Sequence, residues 1–190
     1  VKDEIKFGYN KADDLKASEI LKDGYGQCNT KSTLLMALLR AVGLPCRLQG
    51  FTVNKEMQKG AVDGIWYKLA PDEIIHTWAE VYFQNRWYGL EGVILDNHYL
   101  QNLQKKFGCQ NRNFCGFGVH TKDLKNPNIE WDYNDTYIQH LAIKKHLGVF
   151  NSPDDFYFVH RQKFSKALKF IYQNYLRKRM NENVSKIRNN

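Results

Sequence analysis

An α+β fold, with a buried helix packed on an antiparallel sheet and further helices towards the C-terminus, is predicted by three features of this 190-residue chain. Leu34, Leu35, Leu38, Leu39 and Val42 recur at helical spacing, and the pattern stops at Gly43 with Pro45 just beyond, which predicts a buried helix over 29–42. Three β-rich segments follow, 46–53, 74–83 and 87–95, the last two joined through a polar turn at Gln84-Asn85; they read as adjacent strands of one antiparallel sheet. Further on, Ser152-Pro153-Asp154-Asp155 combines an N-cap, a proline at the first helical position and two acids in the first turn. Over 165–180, Leu168, Ile171, Tyr172, Tyr175 and Leu176 repeat at helical spacing among lysines and arginines.

The other elements follow from local signals. Residues 14–21 predict a short helix stopped at Asp23-Gly24, and Gly24-Tyr25-Gly26-Gln27-Cys28 forms a tight stretch leading into the buried helix. Residues 54–71 have no clean period and read as an excursion over the surface near the helix–sheet junction. Residues 97–134, rich in Asn, Gly and aromatics, read as ordered irregular structure. At roughly 100–200 residues per domain, residues 1–190 are expected to form one domain, its core over 1–130 and a basic helical extension over 150–190.

Composition narrows the class of protein. Hydrophobic residues at 43% and aromatics at 14% suffice for a substantial core, which excludes disorder as the main state. The longest strongly apolar run, Leu34 to Leu39, is far short of the ~20 residues that a membrane-spanning helix requires. The net charge of +8 is localised: residues 161–190 hold nine basic side chains against the single acid Glu182, so 1–160 is balanced. A cationic helix of this kind could dock on an acidic partner or an anionic membrane surface, but its apolar residues also suit packing on the body with the charges solvated; nucleic acid is not expected as a partner. Four cysteines, Cys28, Cys46, Cys109 and Cys115, are too few for a disulfide scaffold and form no close C-x₂-C zinc pair. Free thiols in a reducing, cytoplasmic compartment are the expectation, although the chain opens on Val1 rather than Met, and a Cys109–Cys115 bridge would close a short loop in an exported protein.

One cysteine stands out. Cys28 lies in a glycine-bounded turn at the start of the buried helix, where unpaired backbone N–H groups and the positive end of the helix dipole favour thiolate over thiol. Small neighbours such as Gly26 leave room for a substrate backbone, and the Cys28 amide is placed to stabilise an oxyanion. A cysteine nucleophile needs a base, and His76 leads the strand His76-Thr77-Trp78-Ala79-Glu80-Val81-Tyr82. It also needs a group that orients the ring. If the loop at Gln84-Asn85 has two residues, Glu91 opposes Trp78, on the face of His76 and diagonal to it; Asp96 is the competing acid. Each residue also has an ordinary reading, as a small buried hydrophobe, a strand-end histidine and a solvated carboxylate.

The blocks Ala17-Ser18-Glu19-Ile20-Leu21 through Gly24-Tyr25-Gly26-Gln27-Cys28, Leu39-Arg40-Ala41-Val42-Gly43-Leu44-Pro45-Cys46-Arg47, His76-Thr77-Trp78-Ala79-Glu80-Val81 and Trp87-Tyr88-Gly89-Leu90-Glu91 resemble the transglutaminase-like superfamily, over about 15–95. The resemblance implies a papain-like arrangement, with Cys28 as nucleophile on a helix N-terminus and His76 as base and Glu91 as third member on neighbouring strands. Glu91 departs from the pattern, since the family usually carries Asp there. Gln27 and Tyr25 are candidates for completing an oxyanion hole, and Trp78 for contacting substrate. The aromatics Trp66, Tyr67, Trp78, Phe114 and Phe117 serve either the core or an aromatic cleft.

Such a site performs acyl transfer on amide bonds through a thioester, and the acceptor decides the outcome: water gives a peptidase, amidase or deamidase, a lysine amine gives a crosslink. Hydrolysis of a peptide or protein amide is the expectation. The alternatives are a crosslinking transglutaminase and a catalytically impaired binding module, the latter suggested by the Glu91 departure alone. No metal or cofactor is expected; in particular, no acidic calcium loop is apparent.

Overall fold

The computed structural model describes residues 1–108 and 113–189. Its elements in chain order are β1 (Lys6–Phe7), α1 (Ala17–Asp23), β2 (Tyr25–Gly26), α2 (Cys28–Ala41), β3 (Cys46–Asn54), α3 (Gly64–Leu69), β4 (Glu73–Phe83), β5 (Arg86–Gly89), α4 (Asn97–Phe107), β6 (Phe114–Gly116), β7 (Val119–Thr121), β8 (Ile143–Phe150), α5 (Pro153–Val159), α6 (Lys166–Ile171) and α7 (Arg177–Arg188). Short 3₁₀ turns lie at Lys55–Gln58, Glu91–Ile94 and His140–Ala142, and a π-turn at Tyr172–Leu176 joins α6 to α7. The fold is α+β, as the sequence predicts.

The principal sheet has the order β5-β4-β3-β8 and is antiparallel throughout. Gln84 and Asn85 both take positive φ, 47° and 62°, which is the primed two-residue turn whose twist matches the flanking strands. The register therefore runs Phe83↔Arg86 to Glu80↔Gly89. Beyond Gly89 the chain leaves the sheet, so Glu91 opens a 3₁₀ turn instead of lying on a strand. This corrects the expected strand over 87–95. The outer strand β8, with Lys144, Lys145 and His146 along it, carries no alternating pattern that marks it as a strand in sequence. It pairs with β3 through two register shifts, and α5 packs behind it, its Phe156 lying where a side chain on Gly50 would stand.

Two stretches read as irregular contain helices. Residues 54–71 hold α3, and residues 97–134 open with α4, capped by Asp96, whose Oδ1 accepts from the Tyr99 N–H at 2.9 Å. Tyr99, Leu100 and Leu103 are the buried face of α4, a stripe too narrow to stand out among its polar neighbours.

The largest apolar cluster joins Phe7, Tyr9 and Cys28 to α4 and to Met180, Val184 and Ile187 of α7. The basic C-terminal helix is thus built into the core, and several of its cations are spent internally. Arg179 binds Asp63 with two hydrogen bonds of 2.9 and 3.0 Å, Arg188 binds Asp96 at 2.7 Å and the Phe7 carbonyl at 2.9 Å, and Arg177 donates to the Tyr25 hydroxyl at 3.0 Å. Among the described residues no helix is long and apolar enough to cross a membrane. Cys109 lies outside the described residues, and with it any pairing to Cys115.

Candidate active site

Cys28 is the first residue of α2, and the turn before it is held by a buried polar network. The Gln27 N–H donates to Thr30 Oγ1 (3.1 Å), and Thr30 Oγ1 donates to Asn10 Oδ1 (2.6 Å). The Gln27 side chain accepts from the Asn10 N–H (2.8 Å) and donates to Asp13 (2.9 Å). Gly26 has no room for a side chain, because a Cβ would lie 2.7 Å from Thr30 Oγ1 and 3.0 Å from Lys31 Cγ. Its smallness serves this cap, not the approach of a substrate. One turn along, the fully buried Lys31 donates to the carbonyls of Lys2 (2.9 Å) and Ile5 (2.6 Å) and so docks the N-terminal strand on α2; burial pushes its pKa down to about 7.

The body of α2 packs through Met36 on Leu48 and Ala79, while its first turn meets the edge of β4 that β5 leaves open. There Asn29 donates to the Ile75 carbonyl (3.2 Å) and accepts from Thr77 Oγ1 (3.2 Å), and Ser32 donates to the Thr77 carbonyl (3.2 Å). Asn29 follows Cys28, and Ile75 and Thr77 flank His76. This clamp sets the sulfur and the imidazole side by side across 48 positions of chain. Nothing in the residue types around Asn29 marks it in sequence.

His76 is wholly buried, its ring on the sheet face of Phe51 and Trp78. Nε2 lies 2.9 Å from Glu91 Oε1, which leaves Nδ1 as the other ring nitrogen, with no oxygen or nitrogen partner among the described residues. Burial opposes the charged ring, but the charge of Cys28 and its hydrogen-bonding pull, followed by Glu91, outweigh it and raise the His76 pKa to about 10. The Cys28 charge also reaches Tyr9, whose hydroxyl is pushed up first by burial and then by that charge.

Glu91, also fully buried, uses both oxygens. Oε1 meets His76, and Oε2 accepts three backbone N–H groups, from Ile138 (2.7 Å), Gln139 (3.0 Å) and His140 (3.1 Å). Successive amides of this kind form a concave anion-binding nest. Because Glu91 starts a turn beyond the end of β5, its extra methylene spans from the imidazole to this nest. Asp96 is committed elsewhere: burial raises it, but Arg188 and the N–H groups of Phe7 and Tyr99 outweigh that and hold its carboxyl below the ordinary range.

The remaining sequence candidates are placed as follows. Gln27 lines the cavity at Cys28, with its side-chain amide engaged by Asn10 and Asp13. Tyr25 pairs with β1 and meets Arg177, away from that cavity. Trp78 stacks on Phe51 at 4.1 Å and lies edge-on to His76 at 5.8 Å, with its indole nitrogen near Gly89. Of the five aromatics considered for a cleft, Trp66 lines the cavity, whereas Phe114 and Phe117 pack around Phe107.

That cavity, of about 290 Å³, opens over Cys28 between the 11–14 segment, the start of β4 and the C-terminal helices. Asp13 stands on its rim, its carboxyl raised by burial against the hydrogen bonds of Asn29 and Gln27. Gln139 and Tyr157 contribute buried polar groups, Oε1 and the hydroxyl, that have no partner among the described residues. Neither residue carries a signal that singles it out in sequence.

Residues 1–91, ending at Glu91, match the model of the transglutaminase-like superfamily, a family of cysteine-dependent acyl transfer. Comparisons with curated proteins and with solved structures give no match.

Proposed function

We propose that this protein hydrolyses amide bonds through a Cys28 thioester, with His76 as proton carrier and Glu91 as its orienting carboxylate. The observation that carries the reading is the buried imidazole between Cys28 and a carboxylate anchored on three backbone amides. The Cys28 thiolate attacks the amide carbonyl to form a C–S bond, and the Cys28 amide at the start of α2 is the proposed donor to the oxyanion that develops. The tetrahedral intermediate collapses with loss of the amine, which takes its proton from His76. A water then attacks the thioester, gives a proton back to His76 and restores the thiolate as the acid departs. Glu91 keeps Nε2 of the ring engaged and balances its charge, which leaves Nδ1 for the sulfur. The tyrosine-lined cavity, with Asp13, Gln27 and Gln139 among its polar groups, suits a peptide or protein amide.

Alkylation by iodoacetamide tests the arrangement. Cys28 is expected to react selectively near neutral pH, and His76→Ala is expected to slow it by about tenfold or more as the ion pair is lost. Equal slow modification of Cys28, Cys46 and Cys115 would refute the reading and favour a binding module. Release of ammonia or amine from a peptide library, run with and without a lysine analogue, separates hydrolysis from crosslinking; chelator is expected to leave the rate unchanged.

A further inference from the structure

β5 pairs with β4 only over Glu80–Phe83, so the stretch from Glu73 to Ala79 has no neighbouring strand on that side. Three of its outward carbonyls are met by the core of the fold. Asn29 takes the Ile75 carbonyl, Ser32 the Thr77 carbonyl, and the Leu90 N–H the Ala79 carbonyl at 2.9 Å. The Glu73 carbonyl and the Ile75 N–H are met differently. The side-chain amide of Gln162, from the coil between α5 and α6, accepts from the Ile75 N–H (3.0 Å) and donates to the Glu73 carbonyl (3.5 Å). These are the two bonds that one residue of a parallel neighbouring strand makes. The amide stands where a peptide backbone would stand.

The position adjoins the nucleophile. Ile75 precedes His76, the residue that binds its carbonyl follows Cys28, and Ile74 and Ile75 line the cavity that holds Cys28. The rest of the 161–176 segment crosses the same cavity. Phe164, Leu168 and Tyr172 line it, Arg161 pairs with Asp14 at 3.8 Å, the Tyr172 hydroxyl donates to the Asn10 carbonyl at 3.1 Å, and Tyr175 reaches Trp66 on the far wall. No residue of α6 is buried, so this strap is held by few contacts. A π-turn at its end, Tyr172–Leu176, is the kind of helix irregularity found at functional sites.

We infer that the edge of β4 at Glu73–Ile75 is a strand-addition subsite for the extended backbone of a peptide, and that Gln162 occupies it as an internal stand-in until substrate displaces it. The inference rests on the hydrolase reading for its meaning and specifies the substrate as an extended peptide rather than a small amide. Backbone pairing supplies affinity in this mode without regard to side chains.

The test is amide hydrogen exchange at Ile75 in Gln162→Ala, with millimolar acetyl-trialanine amide as probe and its backbone N-methylated analogue as control. Exchange at Ile75 is expected to rise about tenfold in the variant, the scale of one lost hydrogen bond. The trialanine peptide is expected to restore protection, and the N-methylated peptide is not. Unchanged exchange with the peptide, or equal protection by both peptides, would overturn the inference. Gln162→Ser, whose shorter side chain withdraws the acceptor from Ile75 and the donor from Glu73, provides the same comparison should the alanine variant fold poorly. The readout does not involve Cys28 chemistry: protection by the peptide in a protein that hydrolyses nothing would sink the hydrolase reading alone, and turnover without peptide protection would sink the subsite alone.

Discussion

The two walls of the cavity differ in how they are built. On one side, Cys28, His76 and Glu91 are each more than nine-tenths buried, and every polar group that orients them is tied to another: Asn29 to two residues of β4, Glu91 to three amides, Gln27 to Asn10 and Asp13. On the other side, the 161–176 strap has no fully buried residue and is held by single hydrogen bonds and an ion pair that is largely solvated. A satisfied buried network is costly to disturb, whereas isolated surface contacts are not. The comparison teaches a division of labour: the wall that carries the proposed chemistry is over-determined, and the wall that carries the proposed peptide subsite is held by few contacts.

The largest test of this contrast is Glu91→Gln. It removes the charge balancing His76 while keeping the shape of the side chain, and turnover is expected to fall on the order of 10³-fold. Its more drastic form, Glu91→Ala, leaves three buried N–H groups without an acceptor, and an unfolding free energy lower by about 3–5 kcal/mol is expected from denaturant titration. A variant that kept wild-type turnover would show that the carboxylate is only structural.

Of intermediate size is the pH dependence, in which two buried cations of the rigid wall act with opposite sign. The folded-state pKa of His76, about 10, lies above its unfolded value of 6.5, so its stabilisation is complete below pH 6.5 and is lost as pH rises towards 10. Lys31 is the reverse: its pKa falls from 10.5 to about 7, so its contribution is fullest above pH 10.5 and is lost as pH falls towards 7. Across pH 7 to 10 the two slopes, each at most about 1.4 kcal/mol per pH unit, oppose each other. Lys31→Met is expected to uncover the His76 slope, so that the stability of the variant declines with rising pH more steeply than that of the wild type. Equal pH profiles for the two proteins would contradict this opposition. In Cys28→Ala, NMR titration of the imidazole is expected to show its pKa reduced, because the first of the raising influences is gone.

The smallest effect belongs to the wall held by few contacts. Tyr172→Phe removes the bond to the Asn10 carbonyl, and a loss of about 1 kcal/mol or less is expected in denaturant titration. A loss as large as that of Glu91→Ala would erase the distinction between the walls.

Much of this was legible in the chain. Apolar spacing and the Gly43–Pro45 stop located α2, loose alternation located β3, a run of β-branched and aromatic residues located β4, and the two-residue loop considered at Gln84-Asn85 is the one found. Elements stabilised by their neighbours more than by their own pattern escaped: β8 depends on pairing with β3, and α3 and α4 are short, the first with no buried residue and the second with a narrow apolar stripe. Asn29, the 138–140 amides and Gln162 escaped for a related reason, since their roles exist only in contacts with residues far away in sequence.

By itself the sequence determined the helix that carries Cys28, the strand that carries His76 and the order of Cys28, His76 and Glu91 along the chain, because turn residues and hydrophobic period act within a few positions of the chain. Only the tertiary structure decided which acid meets the ring, since Glu91 and Asp96 are both carboxylates soon after the same strand. Glu91 reaches both the imidazole and a nest of distant amides, whereas Asp96 is neutralised by an arginine from the last helix. Long-range electrostatic pairing is settled by where the chain returns in space, and local propensity carries no record of that return.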